Sequence, residues 1–190
     1  MLRDLIQNNR SYRRFKQDHT ISLDTLKELV DLARLSASGS NKQPLKFYLS
    51  CDPETNAKIF PLISSWKGAI PEWPGPKDGE KPSAYIIILG DTEVSPSFGV
   101  DAGIAAQSIL LGATEKGLGG CMMGSIKKEE TPKVLNLPSR YQVLLAISLG
   151  KPGEKVVLET LESGQDIKYW LDDDDVHHVP KRRLEDIIIS

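Results

Sequence analysis

The sequence predicts a globular protein that combines helices with buried strands, in one domain or one domain and a fraction. Two apolar runs, residues 85–89 and 143–149, are typical of strands that are buried on both faces. Between them, residues 102–114 contain no charged side chain and are rich in alanine and glycine, which predicts a helix buried on all sides. With 190 residues, the chain can bury a core without disulfides or a structural metal.

The first half of the chain predicts short helices and one strand. A helix is predicted over residues 2–8, and a stronger one over residues 22–36, where Ser22 can cap the N-terminus and apolar residues share one face. A strand follows at residues 46–50. The next helix opens at residues 52–54, since proline suits the first helical turn. Residues 66–81 are rich in glycine and proline, which predicts a long irregular loop of the kind that often walls a site.

Charge and cysteine content narrow the class of protein. The chain carries 24 Lys and Arg against 26 Asp and Glu, a balance that argues against general nucleic-acid binding. The two cysteines are too few for a disulfide framework and lack the spacing of a metal site. No signal segment is visible, nor any apolar run of the roughly 20 residues that span a bilayer, so we expect a cytoplasmic protein without a membrane partner.

The chain changes character after Gly150. Residues 151–180 are polar, and the chain then ends in three isoleucines followed by a serine. An apolar tail favours burial at a sheet edge, and a polar connector before it is what an arm around a second subunit would look like. The uncharged helix at 102–114 favours the same interpretation, because a second subunit could cover its other side; a core helix in a monomer is the alternative.

Two basic clusters lie near opposite ends of the chain, at residues 10–14 and 181–183. A buried phosphate dianion needs several cations together with hydroxyl or amide donors, because isolated charge is costly in a low-dielectric site. The two clusters, with Ser11, would supply such a site if they converged. Solvated surface charge is the alternative.

Two further segments hold small residues. Residues 36–44 follow a helix, and their Asn and Gln side chains could read the hydrogen-bond pattern of a planar heterocycle; an ordinary helix-ending loop is the alternative. Residues 117–124 could lay a backbone strip along a flat ring or form a plain helix–strand turn. They match neither a P-loop nor a dinucleotide fingerprint.

In this order, the four features resemble the nitroreductase family of FMN-dependent NAD(P)H oxidoreductases. Residues 10–15 (RSYRRF) resemble the family's R-S-x-R-x-F phosphate motif, and residues 37–44 (ASGSNKQP) its N-x-Q-P loop. Residues 101–124 resemble its central helix and flavin-facing glycine-rich strand, and residues 181–183 (KRR) its K-x-R phosphate clamp. The resemblance covers nearly the whole chain. Asn9, where many members have a basic residue, and Leu45, where an aromatic is usual, depart from it.

The resemblance implies an α+β fold with a mixed central sheet flanked by helices, assembled as a homodimer. Residues 1–190 would form a single FMN-binding domain, of which residues 151–190 would be an extended, swapped arm that packs on the partner subunit. Two FMN sites would lie at the interface.

The resemblance also assigns flavin contacts by position in the motifs. The groups assigned to the phosphate are Arg10, Ser11, Arg13, Lys181 and Arg183. Those assigned to the flavin from the other subunit are Ala37, Ser38 and Asn41, and those lining one side of the ring are Met122, Met123 and Gly124. Lys67 is the candidate for the cation near the flavin N1.

In the family, the flavin carries the chemistry. The resemblance implies that NAD(P)H passes hydride to flavin N5 and leaves, and that an electron-poor acceptor such as a nitroaromatic or a quinone is then reduced, with ping-pong kinetics. No side chain is required as general acid or base, so no catalytic residue and no metal site is assigned, and Cys121, His177 and His178 receive no role. Two alternatives stay open: a non-enzymatic FMN-binding sensor on the same scaffold, and a member that uses the flavin for substrate dehydrogenation.

Overall fold

A five-stranded sheet built around one long strand forms the centre of the molecule. The computed structural model describes residues 1–162 and 164–189. The long strand β5 (Tyr141–Pro152) pairs with β3 (Ala84–Asp91), β4 (Gly119–Met123) and, at its C-terminal end, β1 (Phe15–Lys16). The outer strand β2 (Leu45–Ser50) pairs with β3. The strand at 46–50 and the two buried runs are therefore confirmed.

Helices cover both faces of this sheet. They are α1 (Leu2–Asn8), α2 (Leu23–Leu35), α3 (Pro53–Ile59), α4 (Asp101–Glu115) and α5 (Thr131–Val134). On one face, α2 and α4 pack against Ile86 and Ile88 of β3. On the other face, α3 and the segment after it pack against Tyr85 and Ile87. Successive side chains of a strand point to opposite faces, so β3 is buried throughout.

Local capping explains where the helices begin and end. Ser22 Oγ accepts a hydrogen bond from the Thr25 backbone N–H at 3.1 Å, and an Asp52 carboxylate oxygen accepts one from Thr55 at 2.8 Å. Gly117, with a φ of 68°, provides the left-handed residue that ends α4. The predicted helices at 2–8, 22–36 and 102–114 are confirmed to within one residue at each end.

The segment after β5 forms a second, smaller sheet. Its central strand β8 (His177–Lys181) pairs in parallel with β6 (Val156–Thr160) and antiparallel with β7 (Trp170–Leu171). Much of the segment predicted as an extended arm is therefore folded, and it contacts its own N-terminal region. Its packing on a second subunit stays a prediction.

The isoleucine tail forms no strand in the part of the chain that the structure describes. Ile187 and Ile188 are 60% and 57% exposed, so a single chain leaves the predicted sheet-edge residues uncovered.

Parallel and antiparallel pairing occur in different places. The named strands of the central sheet pair antiparallel, whereas the parallel pairs are β6 with β8 and a single bridge between Ser11 and Gly120.

Over residues 1–162 and 164–189, no helix combines the length and apolar character needed to cross a membrane.

Candidate functional site

The N-terminal basic cluster and Lys181 of the C-terminal cluster meet at one cavity of about 370 Å³. The N-terminal segment contributes Arg10, Ser11 and Arg13 to its wall, and β8 contributes Lys181. Asn9 of the N-terminal segment also lines the cavity. The remaining lining comes from α4, β4, the small sheet and the segment before β7: Gln107, Leu110, Met122, Val156, Tyr169, His177 and Val179. Charges that are about 170 residues apart in the sequence therefore meet within a single chain.

The N-terminal segment is held beside the sheet by backbone contacts to β4. Ser11 forms a parallel bridge with Gly120, and the Tyr12 N–H donates to the Gly120 carbonyl oxygen at 3.1 Å. Gly120 is required at this point because a Cβ there would lie 2.5 Å from the Ser148 carbonyl oxygen. The predicted glycine-rich strip thus seats the basic motif against the sheet.

Buried polar atoms without partners mark the cavity as a binding site. In the described residues, four buried side-chain atoms have no hydrogen-bond partner, and three of them belong to the cavity wall: Arg10 Nε, Arg13 Nε and His177 Nε2. Buried polar groups in folded proteins are nearly always paired, so these atoms call for a polar ligand. Burial also holds the pKa of Arg10 below its ordinary value, against the opposing effect of Tyr12. The side-chain cations of Arg10, Arg13 and Lys181, together with the Ser11 hydroxyl, suit an oxyanion such as a phosphate group.

The buried carboxylate of Glu154 fixes the backbone of the basic motif that lines the cavity. It accepts hydrogen bonds from the backbone N–H groups of Arg13 at 2.5 Å and Arg14 at 3.0 Å. The Arg14 guanidinium lies 3.6 Å from Glu154 and also pairs with Asp175 in the turn before β8. Burial would raise the pKa of Glu154, but the nearby His177 ring, the hydrogen bonds from the two backbone N–H groups and the Arg14 guanidinium outweigh it and hold that pKa below its ordinary value.

Sequence reasoning missed Glu154, His177 and Tyr169. Glu154 is one acid in a polar stretch, and only the fold brings it to the basic motif. His177 received no role from the sequence, because it belongs to none of the motifs that carry the resemblance, and only the fold brings it to the cavity. Tyr169 accepts a hydrogen bond from the Ala69 N–H at 2.7 Å and lies under the Arg13 guanidinium, 5.3 Å from the ring centre.

Of the residues that the resemblance assigns to the flavin ring and to the C-terminal phosphate clamp, some line the cavity and others lie elsewhere. Met122 lines the cavity, whereas the Met123 side chain is buried in the core on the opposite face of the sheet. A Cβ added at Gly124 would have no neighbouring atom within 4 Å. Arg183 pairs with Glu162 and is not among the residues that line the cavity, so its contact with a phosphate stays a prediction.

The small-residue loop lies at a second cleft, next to the N-terminus of α4. Ala37 and Ser38 line this cleft, and Ser38 Oγ donates to Asp101 at 2.6 Å. The Gly39 N–H donates to the other Asp101 oxygen at 3.0 Å. Asn41 is exposed and has a φ of 54°. The resemblance assigns these residues to the flavin of the other subunit, and that assignment stays a prediction.

The irregular loop at 66–81 borders the cavity through its contact with Tyr169. Trp66 is buried against Phe60, with ring centres 5.0 Å apart, so it packs the core and does not wall a pocket. Trp73 faces Arg14, whose guanidinium lies 5.8 Å from its ring centre. Lys67 is exposed in this loop, and its place near a flavin N1 stays a prediction.

Comparison with known proteins identifies the family. Residues 6–151 match the sequence model of the Nitroreductase family. The chain belongs to the nitroreductase family. The predicted resemblance and the α+β fold class are therefore confirmed.

Three family-level likenesses extend over most of the chain. It is 25% identical over 198 residues to FMN reductase (NADPH) of Bacillus subtilis (strain 168), which covers 92% of the chain and 77% of that protein. Its fold is similar to that of an FMN-dependent nitroreductase from Clostridium difficile R20291, with a TM-score of 0.66 and 24% sequence identity. The match covers 80% of this chain and 87% of that protein. Its fold is also similar to that of a protein from Exiguobacterium sibiricum 255-15 solved in complex with FMN, with a TM-score of 0.68 and 18% sequence identity. That match covers 81% of this chain and 89% of that protein.

Proposed function

We propose that this member of the nitroreductase family is an FMN-dependent oxidoreductase that passes electrons from NAD(P)H to an electron-poor acceptor such as a nitroaromatic or a quinone. The convergence of Arg10, Arg13 and Lys181 with Ser11 on one cavity carries the proposal. The FMN reductase relative and the FMN-bound neighbour support the identity of the ligand. Free cysteines and an NAD(P)H donor suit the cytoplasm, where we propose that the protein works.

The chain's own residues bind and orient the cofactor. Arg10, Arg13 and Lys181 offer charge-assisted hydrogen bonds to the phosphate end, and the Ser11 hydroxyl adds a neutral donor. Met122 offers an apolar wall beyond them. FMN, when bound, supplies the hydride and electron transfer, so no protein nucleophile is required. If donor and acceptor use one site in turn, the kinetics are ping-pong.

The decisive experiment follows the flavin spectrum. Purified protein supplemented with FMN is expected to bind one FMN per chain, to lose the flavin absorption on anaerobic addition of NADH or NADPH, and to regain it with a quinone. Absence of FMN binding would contradict the proposal. Binding without reduction would favour a sensor, and reduction only by another organic substrate would favour a dehydrogenase.

We further propose that the protein works as a homodimer. The face of α4 that carries Gly103, Ile104, Ser108 and Leu111 is exposed or only partly buried in the single chain, and Gln107 of the same face lines the cavity. The exposed isoleucine tail is a second uncovered apolar surface. A second copy would cover both surfaces and bring its own Ser38 loop toward the flavin.

Ile104→Glu is expected to shift the protein from dimer to monomer, because a carboxylate would be desolvated in the interface. Sedimentation velocity measures the change, and FMN affinity should fall with it because the loop of the other subunit is lost. Val134→Glu puts the same charge on the exposed part of α5 and should leave the dimer intact. A wild-type protein that is monomeric and binds FMN fully would refute the dimer.

A further inference from the structure

We propose that His177, held by Glu154, is an additional anion-binding residue of the cavity and donates a hydrogen bond from Nε2 to a phosphate oxygen. The inference rests on the proposed function, because it takes the phosphate end of FMN as the ligand. It assigns a role to a residue that belongs to none of the motifs described above.

The burial of His177 is the first observation. It is the first residue of β8, is 3% exposed and lines the cavity beside Lys181 and Tyr169. Its Nε2 is buried and has no hydrogen-bond partner among the described residues. An imidazole nitrogen buried in this way loses its hydration without replacement, unless a ligand in the cavity supplies the partner.

The contact on the other side of the ring sets the direction of the hydrogen bond. His177 Nδ1 lies 3.8 Å from a Glu154 carboxylate oxygen, and both side chains are 4% exposed. A carboxylate favours a proton on the nitrogen that faces it. Nε2 can then donate only if the ring is doubly protonated, and an anion in the cavity stabilises that form.

The charges around the His177 ring include groups that favour its positive form and groups that oppose it. Arg13, Arg14, Arg10 and Lys181 oppose a positive ring, so without an anion Glu154 is its main electrostatic support. The Tyr169 ring meets the imidazole edge to face, with centres 4.9 Å apart, and fixes its orientation. An oxyanion would neutralise the cations and accept from Nε2 at once, so His177 adds binding energy only when the phosphate is present.

Comparing FMN with riboflavin, which lacks the phosphate, isolates this contact. His177→Phe keeps an aromatic ring and removes the donor, and should weaken FMN binding about 10-fold or more while riboflavin affinity stays within about twofold. His177→Gln keeps a neutral donor, so its FMN affinity should lie between those of the wild type and His177→Phe. Flavin fluorescence titration gives the dissociation constants without turnover, and circular dichroism checks that each variant is folded.

His178→Phe is the matched control. His178 is the next residue of β8 and its ring nitrogens contact Glu159 at 2.7 Å and Asp172 at 3.0 Å, outside the cavity lining. It should leave both affinities unchanged. Equal weakening of FMN and riboflavin in His177→Phe, or unchanged FMN affinity, would overturn the role of His177 while leaving the proposed function in place. A wild-type protein that binds no FMN would instead overturn both proposals.

Discussion

Replacing Arg13 with alanine is expected to weaken FMN binding by about 10- to 150-fold, the equivalent of one charge-assisted hydrogen bond of about 1.5–3 kcal/mol. Arg13 lines the cavity, and its Nε is buried without a partner. The backbone N–H of Arg13, which donates to Glu154, survives in the variant, so the segment should keep its position. Fluorescence titration with FMN measures the effect.

Two arginine controls give this prediction its specificity. Arg3→Ala removes a positive charge from the exposed surface of α1, outside the cavity lining, and should leave FMN affinity unchanged. Arg183→Ala should have a smaller effect than Arg13→Ala, because Arg183 pairs with Glu162 in the single chain. An equal loss in Arg183→Ala would support the family-like clamp. An Arg13→Ala protein with wild-type affinity would refute the phosphate site.

Glu154→Gln is expected to lower the free energy of unfolding by about 3 kcal/mol at neutral pH, because it removes one partner of a buried ion pair. Glu154 joins the basic motif to the C-terminal sheet through the backbone of Arg13 and Arg14 and through the Arg14 guanidinium. The variant keeps the shape of the side chain but leaves the Arg14 charge supported by Asp175 alone. Urea unfolding provides the measurement.

The same substitution should change how stability depends on acid. The pKa of Glu154 lies below its ordinary value in the folded protein, although burial acts in the opposite direction, because the nearby His177 ring, the backbone hydrogen bonds and the Arg14 guanidinium prevail. Such a carboxylate contributes stability above its unfolded pKa and loses it as the pH falls through its folded pKa. The difference between wild type and Glu154→Gln should therefore shrink on acidification below about pH 4.

Glu162→Gln serves as the control for this experiment. Glu162 is an exposed carboxylate paired with Arg183, so its loss should cost less than about 1 kcal/mol. If Glu154→Gln were no more destabilising than Glu162→Gln at neutral pH, the buried carboxylate would not be what joins the two ends of the chain.

The sequence determined the main helices, the buried strands of the central sheet and the family of this protein. Helix bounds follow from signals between near neighbours, such as Ser22 with Thr25 and Asp52 with Thr55, and the burial of β3 follows from its uninterrupted apolar run. The basic motifs were also visible, because arginine and serine at short spacing form a local pattern.

The tertiary structure alone decided how those motifs become a cavity. Glu154 is separated from Arg13 by 141 residues, and no local pattern links them until β5 and the small sheet bring them together. The same folding buries His177 at the cavity and sends the Met123 side chain into the opposite core. Short-range signals encode secondary structure, whereas the pairing of buried charges depends on contacts that form only when distant segments pack.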